Sequence, residues 1–482
     1  MTKQLLIIFI LAVNTLFAQK PNAKITLVEN GLTPDATVIF ADSPLVRYAI
    51  IERMKLYNVP SVSIAIINNG KVEWAKAYGL ADVTENRPAD ANTLYQAASL
   101  TKTVNAFCIM KLAQDGRLNL DTEIRSYLKT WQLPDNEFST SKPITLRNLL
   151  SHTAGLGARG FKGYAKGEAM PTINQMLNGE APANSDAVKP VLAPGTQVEY
   201  SGGGTLVTRK IVEDNIEKDY AALMQKTVLQ PLAMYNSLFA QPLSANLTNY
   251  AAAYDATGNE FAGKYYIYPE LAPDGLWATP TDYAKLIISI QQSLAGTLSV
   301  LTTASARQMV TPVIRASNAA LGIFVEQRGA DTFFTHTGAN MGFRTGYYAS
   351  YSGGKGVVVF VNSDNGQIIN EIVNSVAIAY GWQGFYQPET RKLFALPNTV
   401  AVGYAGEYYS ENPSVTVRIQ LRNGHLALNT HAGDANFEQM YFTGANTFFL
   451  MSSPGQTAEF VNMDTLVLKD GDKVLLTLKR KK

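Results

Sequence analysis

The chain has 482 residues, of which 46% are hydrophobic and 17% are charged, a globular composition that excludes a largely disordered protein. Its 41 Lys and Arg residues nearly balance its 39 Asp and Glu residues and leave a formal net charge of +2, so we expect no nucleic-acid partner. The length allows about three domains of about 150 residues each.

Residues 1–18 have the composition of a secretory signal peptide. Lys3 precedes an apolar run from Leu5 to Val13, and Ala18 offers a small residue for cleavage. The run has about nine residues, whereas a membrane span needs about 20. We therefore expect an exported protein of the bacterial periplasm or the extracellular space, with no permanent membrane anchor after cleavage. Residues 19–42 are predicted to form an N-terminal extension.

A helix and a strand pair are predicted to open the main domain, which spans residues 43–382. Residues 43–57 carry apolar side chains at helical spacing. Val62–Ile67 and Lys71–Tyr78 are predicted strands, because Asn68-Asn69-Gly70 between them tolerates the positive φ of a tight hairpin turn. The first strand is almost entirely apolar, which is typical of a strand covered on both faces.

The middle of this domain, about residues 99–310, has a mostly helical pattern. One predicted helix face carries Leu100, Val104, Phe107, Cys108 and Leu112. Short apolar runs broken by glycine-rich turns then predict strands at 321–326, 332–335, 345–350 and 356–361, and a helix follows at about 366–381. Strands from both ends of the domain thus contribute to its sheet.

The C-terminal part has a different pattern. Residues 383–400 lack a clear period and are predicted to be a linker. Residues 401–482 are predicted to form a small all-β barrel, because short apolar runs alternate there with turns. These runs are 415–421, 425–429, 447–451, 458–461, 465–468 and 474–478.

A serine and a lysine at helical spacing form the first candidate for chemistry. Ser99 and Lys102 lie one turn apart on one helix face. Burial disfavours the charged form of a lysine, so we expect a lowered pKa for Lys102 and transfer of the Ser99 proton to its amine. On these residues alone, a helix N-cap with a surface lysine is an equally good interpretation. The same spacing occurs at Ser126/Lys129, Ser139/Lys142 and Ser352/Lys355, but only Ser99 opens a strongly apolar predicted helix.

Two further motifs follow in order. Pro194–Gly202 places Tyr200 after a turn, and His336-Thr337-Gly338 lies between predicted strands. With Ser99-x-x-Lys102, the chain resembles the serine β-lactamase and penicillin-binding-protein family, in particular its class C β-lactamase, esterase and D-aminopeptidase branch. The resemblance covers about residues 43–382 and includes the phrases Leu149–Leu156, Gln230–Met234 and Gly275–Thr279.

The resemblance implies the fold class α/β (α+β), an antiparallel sheet flanked by helices with a mostly helical insertion (β-lactamase/transpeptidase-like). It also implies roles for individual residues. Ser99 would be the nucleophile, Lys102 its base or proton shuttle, and Tyr200 the second acid/base, with the division between the two bases left open. Tyr235 is a rival of similar sequence context, but it lies in a phrase that is structural in the family. The backbone N–H groups of Ser99 and Ala339 would form the oxyanion hole.

Two departures from the family pattern bear on the substrate. Members that hydrolyse β-lactams usually carry asparagine where this chain has Gly202, and lysine where it has His336. An imidazole is mostly neutral at pH 7, and Arg344, eight positions later in the sequence, is a candidate to restore the positive charge. We expect the segment His336-Thr337-Gly338 to lie on an edge strand facing Ser99. Gly202, His336, Thr337, Gly338 and Arg344 are the predicted substrate-binding positions.

The leading hypothesis is an exported serine hydrolase that acts on a small ester, peptide or amide substrate through a Ser99 acyl-enzyme. The alternatives are a true β-lactamase and a catalytically silent binding or sensing protein. We expect neither a metal nor an organic cofactor, since the four histidines have no zinc-binding spacing. Cys108 is the only cysteine and excludes an intrachain disulfide. The C-terminal module resembles the lipocalin-like domains of some family peptidases, where these domains shape access or assembly. In this chain, a structural lid and a ligand-binding barrel are equally good interpretations.

Overall fold

The structure, a computed structural model, describes residues 23–35, 38–43, 45–139, 142–297, 299–430 and 437–482. The predicted signal peptide, residues 1–18, lies outside these ranges. Within them, no helix combines the length and the apolar character that a membrane span requires.

The helices in the described ranges are α1 (Ala23–Glu29), α2 (Ile50–Leu56), α3 (Thr101–Gln114), α4 (Leu146–Leu150), α5 (Ile173–Asn178), α6 (Gly202–Asn215), α7 (Tyr220–Met224), α8 (Leu271–Asp274), α9 (Pro280–Leu294), α10 (Thr303–Val310), α11 (Gln367–Ala379) and α12 (Asn398–Tyr404). Shorter 3-10 turns form at Ala98–Leu100 and Ile124–Ser126, and a π-helical turn forms at Gln225–Leu229.

The strands are β1 (Val38–Phe40), β2 (Ser61–Asn68), β3 (Lys71–Asp82), β4 (Arg87–Pro88), β5 (Tyr95–Gln96), β6 (Ser237–Leu238), β7 (Trp277–Ala278), β8 (Phe324–Arg328), β9 (Asp331–Asn340), β10 (Phe343–Ser350), β11 (Gly356–Val361), β12 (Glu389–Arg391), β13 (Gly406–Glu411), β14 (Ser414–Arg422), β15 (His425–Asn429), β16 (Glu438–Gln439), β17 (Tyr441–Phe442), β18 (Thr447–Phe449), β19 (Gln456–Asn462), β20 (Thr465–Asp470) and β21 (Lys473–Arg480).

A seven-stranded antiparallel sheet organises the main domain, in the order β4-β3-β2-β11-β10-β9-β8. The predicted hairpin is confirmed as β2 and β3, and its turn uses positive φ at Asn69 and Gly70. Both faces of β2 are covered, as its apolar sequence predicts. Ile64 and Ile66 belong to the core on one side of the sheet, while Ala65 and Ile67 belong to the core on the other.

The helix that follows Ser99 is buried all round, which differs from the one-sided pattern predicted for it. Besides the predicted apolar stripe, Ala106, Ile109 and Met110 of α3 are also buried. The helix is buried on all faces because α8 and α10 pack against it and its side chains belong to the large core of the domain. A second difference is length, since the helix predicted at 43–57 is the shorter α2.

The strand that carries His336-Thr337-Gly338 is β9, which is not the outermost strand of the sheet, so the expectation of an edge strand holds for this segment but not for the whole strand. Strand β8 lies outside it and pairs with it from Phe324↔Thr335 to Arg328↔Asp331. Residues 336–340 run beyond the end of β8 and are paired on one side only, with β10. The Asn340–Phe343 pair closes a two-residue hairpin, so alternation directs the N–H groups of Thr337 and Ala339 away from β10.

The C-terminal module is confirmed as a nearly closed β barrel. Its nine antiparallel strands follow the order β16-β15-β14-β13-β21-β20-β19-β18-β17. The chain passes from β16 to β17 through the single residue Met440, so the two ends of the sheet are adjacent. Phe448 and Phe460 are buried in its interior, and Tyr404 of α12 stacks on Phe460 with ring centroids 3.9 Å apart.

Short regular segments connect the two domains. Residues 383–400, predicted as an irregular linker, contain β12 and the first residues of α12. Strand β12 pairs in parallel with β1 from the N-terminal extension. Phe40 at the end of β1 also stacks on Tyr441 of the barrel, with ring centroids 5.2 Å apart.

Candidate active site

A cavity of about 510 Å³ opens on the main domain where the Ser99 turn meets the free end of β9. Six of the residues that line it were predicted from the sequence: Ser99, Tyr200, Thr337, Gly338, Ala339 and Arg344. The structure therefore brings together segments that are more than 200 residues apart in the chain. None of the described barrel residues lines this cavity.

Ser99 lies in the 3-10 turn Ala98–Leu100 that leads into α3. The residue before it, Ala98, has a φ of 50°, a left-handed conformation that non-glycine residues rarely adopt and that occurs preferentially at functional sites. The turn is held against the sheet, because Thr345 Oγ1 donates a hydrogen bond to the Ala97 carbonyl oxygen at 2.9 Å. Packing thus maintains a costly backbone conformation beside the serine.

Gly338 lets β9 approach the serine turn. A Cβ atom at this position would lie 2.2 Å from Thr345 Oγ1, 2.8 Å from the Ala97 oxygen and 3.0 Å from Ala98 Cβ. No side chain fits in that space, so the requirement for glycine comes from close approach. The contact brings β9 against the residues that precede Ser99, and Ala339 lines the same cavity as Ser99.

Lys102 lies beneath Ser99, and its side chain is 2% exposed. Its Nζ donates to Ser99 Oγ at 2.9 Å and to the Pro273 carbonyl oxygen at 3.2 Å, and it forms an ion pair with Asp274 Oδ1 at 3.3 Å. Burial acts to lower the pKa of Lys102, but Asp274 and Tyr200 together outweigh it and raise the pKa above its usual value. The expectation of a lowered pKa is therefore wrong, and Lys102 is an ammonium at neutral pH.

Asp274 is the site residue that sequence reasoning missed. Its side chain is 5% exposed, it lines the cavity, and its Oδ1 accepts a hydrogen bond from Ser99 Oγ at 3.0 Å. It immediately precedes the family phrase Gly275–Thr279, which is the signal that could have drawn attention to it. Nothing in the spacing, however, relates α8 to a serine 175 residues earlier.

Tyr200 lies at the cavity with its ring centroid 5.2 Å from Lys102 Nζ. Its ring packs on that of His152, with centroids 4.4 Å apart, and the neighbouring Ser201 N–H donates to His152 Nδ1 at 3.2 Å. Burial, together with the charge of Lys102, holds the pKa of His152 well below its ordinary value, so the ring is a neutral acceptor. The rival Tyr235 is 74% exposed and does not line the cavity.

Two of the five predicted substrate-binding residues do not line the cavity. The ring of His336 is buried and packs against Phe324 and Tyr200, with centroids 5.3 and 6.3 Å away. Burial and the charge of Lys102 lower the pKa of His336 to about 3, which makes it neutral. At Gly202, a Cβ atom would lie 2.8 Å from the Phe161 ring and 3.1 Å from the Arg159 oxygen, so the segment has no room for a side chain.

Two arginines give the mouth of the cavity positive charge. Arg344 Nη1 donates to the carbonyl oxygens of Asn340 and Phe343 and forms an ion pair with Asp364 at 2.8 Å. Arg159, which the sequence did not single out, also lines the cavity, and its guanidinium makes no ion pair in the described part of the chain. Phe161 and Ile369 add apolar walls.

Within the same ranges, no group of three or more His, Cys, Asp and Glu side chains is arranged to hold a metal ion. The groups available for chemistry at the cavity are the Ser99 hydroxyl, the buried Lys102–Asp274 pair and the backbone N–H groups at the free end of β9.

Comparison with known proteins relates the main domain to one family. A family model described as Beta-lactamase matches residues 46–371. Protein flp of Staphylococcus aureus (strain COL) is 30% identical over 234 residues, which cover 47% of this chain and 43% of flp. Teichoic acid D-alanine hydrolase of Staphylococcus aureus is 27% identical over 248 residues, 51% of this chain and 58% of that protein. The chain thus spans less than two thirds of either relative's length.

Solved structures share the fold at low sequence identity. The octameric penicillin-binding protein homologue from Pyrococcus abyssi has a TM-score of 0.62 and 18% identity, covering 89% of this chain and 98% of its own. D-amino acid amidase from Ochrobactrum anthropi SV3, complexed with L-phenylalanine amide, has a TM-score of 0.57 and 20% identity, covering 69% and 97%. These similarities confirm the β-lactamase-like fold implied by the sequence motifs.

Proposed function

The chain belongs to the beta-lactamase family, and from that premise we propose that it is a serine hydrolase cleaving an ester or amide bond of a small substrate through an acyl-enzyme at Ser99. The observation that carries the proposal is the contact of Ser99 Oγ with the buried Lys102–Asp274 pair at the floor of an open cavity. A serine is a weak nucleophile unless an adjacent group takes its proton. Ser99 is the serine of the four S-x-x-K sites that meets this condition in the cavity.

The neighbouring groups have roles that follow from their positions. Ser99 Oγ would attack the substrate carbonyl carbon, and the developing oxyanion would accept hydrogen bonds from the N–H groups of Ser99 and Ala339. Each such donor is worth about 3 kcal/mol in the transition state. Lys102 would hold the serine oxygen in place with its ammonium, and Tyr200 would exchange protons with the leaving group. Water would then release the acid from Ser99.

The relatives support an acyl group of the D-amino acid type. One curated relative is a teichoic acid D-alanine hydrolase, and one structural relative is a D-amino acid amidase. The β-lactam alternative is less favoured, because the space beside Gly202 is filled by Phe161 and no amide side chain is present there. Arg159 and Arg344 at the mouth would receive an anionic part of the substrate. We also retain export as a proposal, on the composition of residues 1–18.

The proposal can be tested without knowledge of the substrate. The intact mass of the wild-type protein is measured after exposure to a serine-reactive fluorophosphonate, with peptide mapping of the adduct. We expect one adduct at Ser99, absent in Ser99→Ala and retained in Ser352→Ala, which alters the serine of another S-x-x-K site. An adduct elsewhere, or none, would instead favour the silent binding protein.

Turnover assays then separate the substrate classes. A panel of simple esters, D-amino acid amides and a chromogenic cephalosporin is compared for wild type and Ser99→Ala. We expect Ser99-dependent hydrolysis of esters or D-amino acid amides at a higher kcat/KM than that of the cephalosporin. The reverse order would establish the β-lactamase alternative.

A further inference from the structure

We infer that Asp274 is a catalytic residue of this chain, and that its carboxylate, rather than the amine of Lys102, takes the proton of Ser99 during attack. The inference rests on the proposed function of Ser99 as the nucleophile and assigns the general base of that site. It differs from the sequence expectation, which gave this task to Lys102 or Tyr200.

The hydrogen bonds around Lys102 match an ammonium group. A lysine ammonium has three N–H donors and no acceptor. Lys102 Nζ donates to Ser99 Oγ at 2.9 Å, the Pro273 oxygen at 3.2 Å and Asp274 Oδ1 at 3.3 Å, and the Tyr200 side chain is a further hydrogen-bond partner. A neutral amine would have only two N–H groups for these three acceptors. Its lone pair would have to point at Ser99 Oγ to receive the proton, which removes the donor that now contacts that oxygen.

The proton of Ser99 already lies on a path to Asp274. The hydroxyl has one proton, and it is donated to Asp274 Oδ1 at 3.0 Å, within the range required of a general base. Lys102 donates to a lone pair of Ser99 Oγ, while the proton of Ser99 is donated to Asp274. Among the described residues, Ser99 Oγ has hydrogen bonds with Lys102 Nζ and Asp274 Oδ1, and of these two groups the carboxylate is the acceptor of the serine proton.

Burial and the surrounding charges preserve this arrangement. The side chains of Lys102 and Asp274 are 2% and 5% exposed, so each charge depends on the other for compensation. The titratable and polar groups that face the pair from the neighbouring elements are His152, Tyr200, Tyr268, Glu270, His336 and Asn340. Asn340 Nδ2 donates to the Asp274 carbonyl oxygen at 3.2 Å. Burial raises the pKa of Glu270 to about 8, so it adds no second negative charge near neutrality.

The proposed step balances in both halves of the reaction. The bond from Ser99 Oγ to the carbonyl carbon forms as the C=O electron pair moves to oxygen, and the proton moves from Oγ to Asp274 Oδ1. When the intermediate collapses, the bond to the leaving group breaks, Tyr200 gives its proton to that alcohol or amine, and the proton held by Asp274 restores the Tyr200 hydroxyl. Water repeats the sequence, giving one proton to Asp274 and then returning one to Ser99 as the acid leaves.

The first test is Asp274→Asn, with wild type and Asp472→Asn, an exposed exchange in a barrel turn, as controls. Asparagine keeps an oxygen that accepts from Ser99 and Lys102 but cannot take a proton. We expect the fluorophosphonate labelling rate and kcat/KM to fall by a hundredfold or more, within the range of general-base contributions of about 10² to 10⁴. The thermal midpoint checks that the variant is folded, and Asp274→Glu should regain part of the rate.

The rival assignment makes the opposite prediction for pH. If neutral Lys102 were the base, removing the carboxylate would lower the pKa of Lys102, and the acid limb of the Asp274→Asn rate profile would move to lower pH with activity kept. That shift, or a fall of less than a hundredfold, would overturn the inference. A labelling rate that rises through the alkaline range of lysine titration would also overturn it.

The two proposals fail separately. If wild-type Ser99 is not labelled, the proposed function fails. If wild type and Asp274→Asn are labelled at Ser99 equally fast, the nucleophile stands and only the role of Asp274 is lost.

Discussion

The two domains enclose cavities of opposite character. The cavity of the main domain has a buried ion pair at its floor and arginines at its mouth, whereas a cavity of about 220 Å³ in the barrel is lined mainly by apolar side chains such as Val417, Leu428 and Phe448. Burial of apolar side chains stabilises a domain without any specific partner. Buried charges cost stability unless each has its partner, so they require a rigid scaffold. The contrast separates a cavity with buried charges from one whose lining is apolar.

The largest effect is expected when the cation of the buried Lys102–Asp274 pair is removed. In Lys102→Met the Asp274 carboxylate is left buried and uncompensated, and we expect the free energy of unfolding to fall by about 3–5 kcal/mol. Labelling of Ser99 should fall about a thousandfold or more. Denaturant unfolding of the double variant Lys102→Met/Asp274→Asn should recover most of the stability and none of the activity. Unchanged stability in the single variant would contradict a buried ion pair.

A large truncation in the barrel should have the complementary effect. Phe448 is 1% exposed, so Phe448→Ala is expected to destabilise the barrel by about 3–5 kcal/mol. The Ser99 labelling rate should not change under native conditions, because no described barrel residue lines that cavity. Val461→Ala, at a position 58% exposed, is the matched control and should change stability by less than about 0.5 kcal/mol. Loss of labelling in folded Phe448→Ala would show that the domains are coupled.

Glu270 is expected to make the stability of the main domain depend on pH. Burial raises its pKa to about 8 from an ordinary value of 4.5, and neither carboxyl oxygen has a hydrogen-bond partner in the described part of the chain. The folded state therefore holds a proton that the unfolded state has lost, and stability falls as pH rises from about 4.5 to about 8, by up to about 1.4 kcal/mol per pH unit. Glu270→Gln should flatten this dependence in thermal unfolding, whereas exposed Glu217→Gln should leave it unaltered.

The smallest expected effect concerns the close approach of strand and serine turn. In Gly338→Ala the new Cβ meets Thr345 Oγ1 and the Ala97 oxygen, so we expect a loss of about 1–3 kcal/mol and slower labelling of Ser99. Gly346→Ala on β10 is the control, since its nearest atom would be Ile369 Cγ2 at 3.3 Å. If the two variants label at the same rate, the packing of Gly338 does not position the nucleophile.

Local patterns were enough to predict much of the fold. The hairpin at Asn69-Gly70, the helix α11 and most barrel strands follow from periodicity and turn residues, which act over a few positions. The sites of Ser99, Tyr200 and Gly338 followed from motif order. By contrast, the place of β9 within the sheet depends on β8, whose pairing does not show in the sequence of β9 itself.

The electrostatics of the site could not be predicted in the same way. Burial of Lys102 was foreseen, but the sign of its pKa shift is set by Asp274, a residue brought close only by tertiary folding. Likewise, the sequence revealed that Gly202 lacks a side chain, whereas only the structure reveals that Phe161 fills the space. The sequence determines which side chains can titrate. The three-dimensional contacts determine whether the pKa of each is raised or lowered.

The short parallel pairing of β1 with β12 has a consequence for the mechanics of the main domain. One strand precedes that domain in the chain and the other follows it, so the ladder Val38–Phe40 with Glu389–Arg391 joins both ends of the domain. The intervening polypeptide becomes a closed loop, and fraying at either end is opposed by the other. Proteolytic cleavage that removes β1 would therefore also release β12, the strand that leads into the barrel.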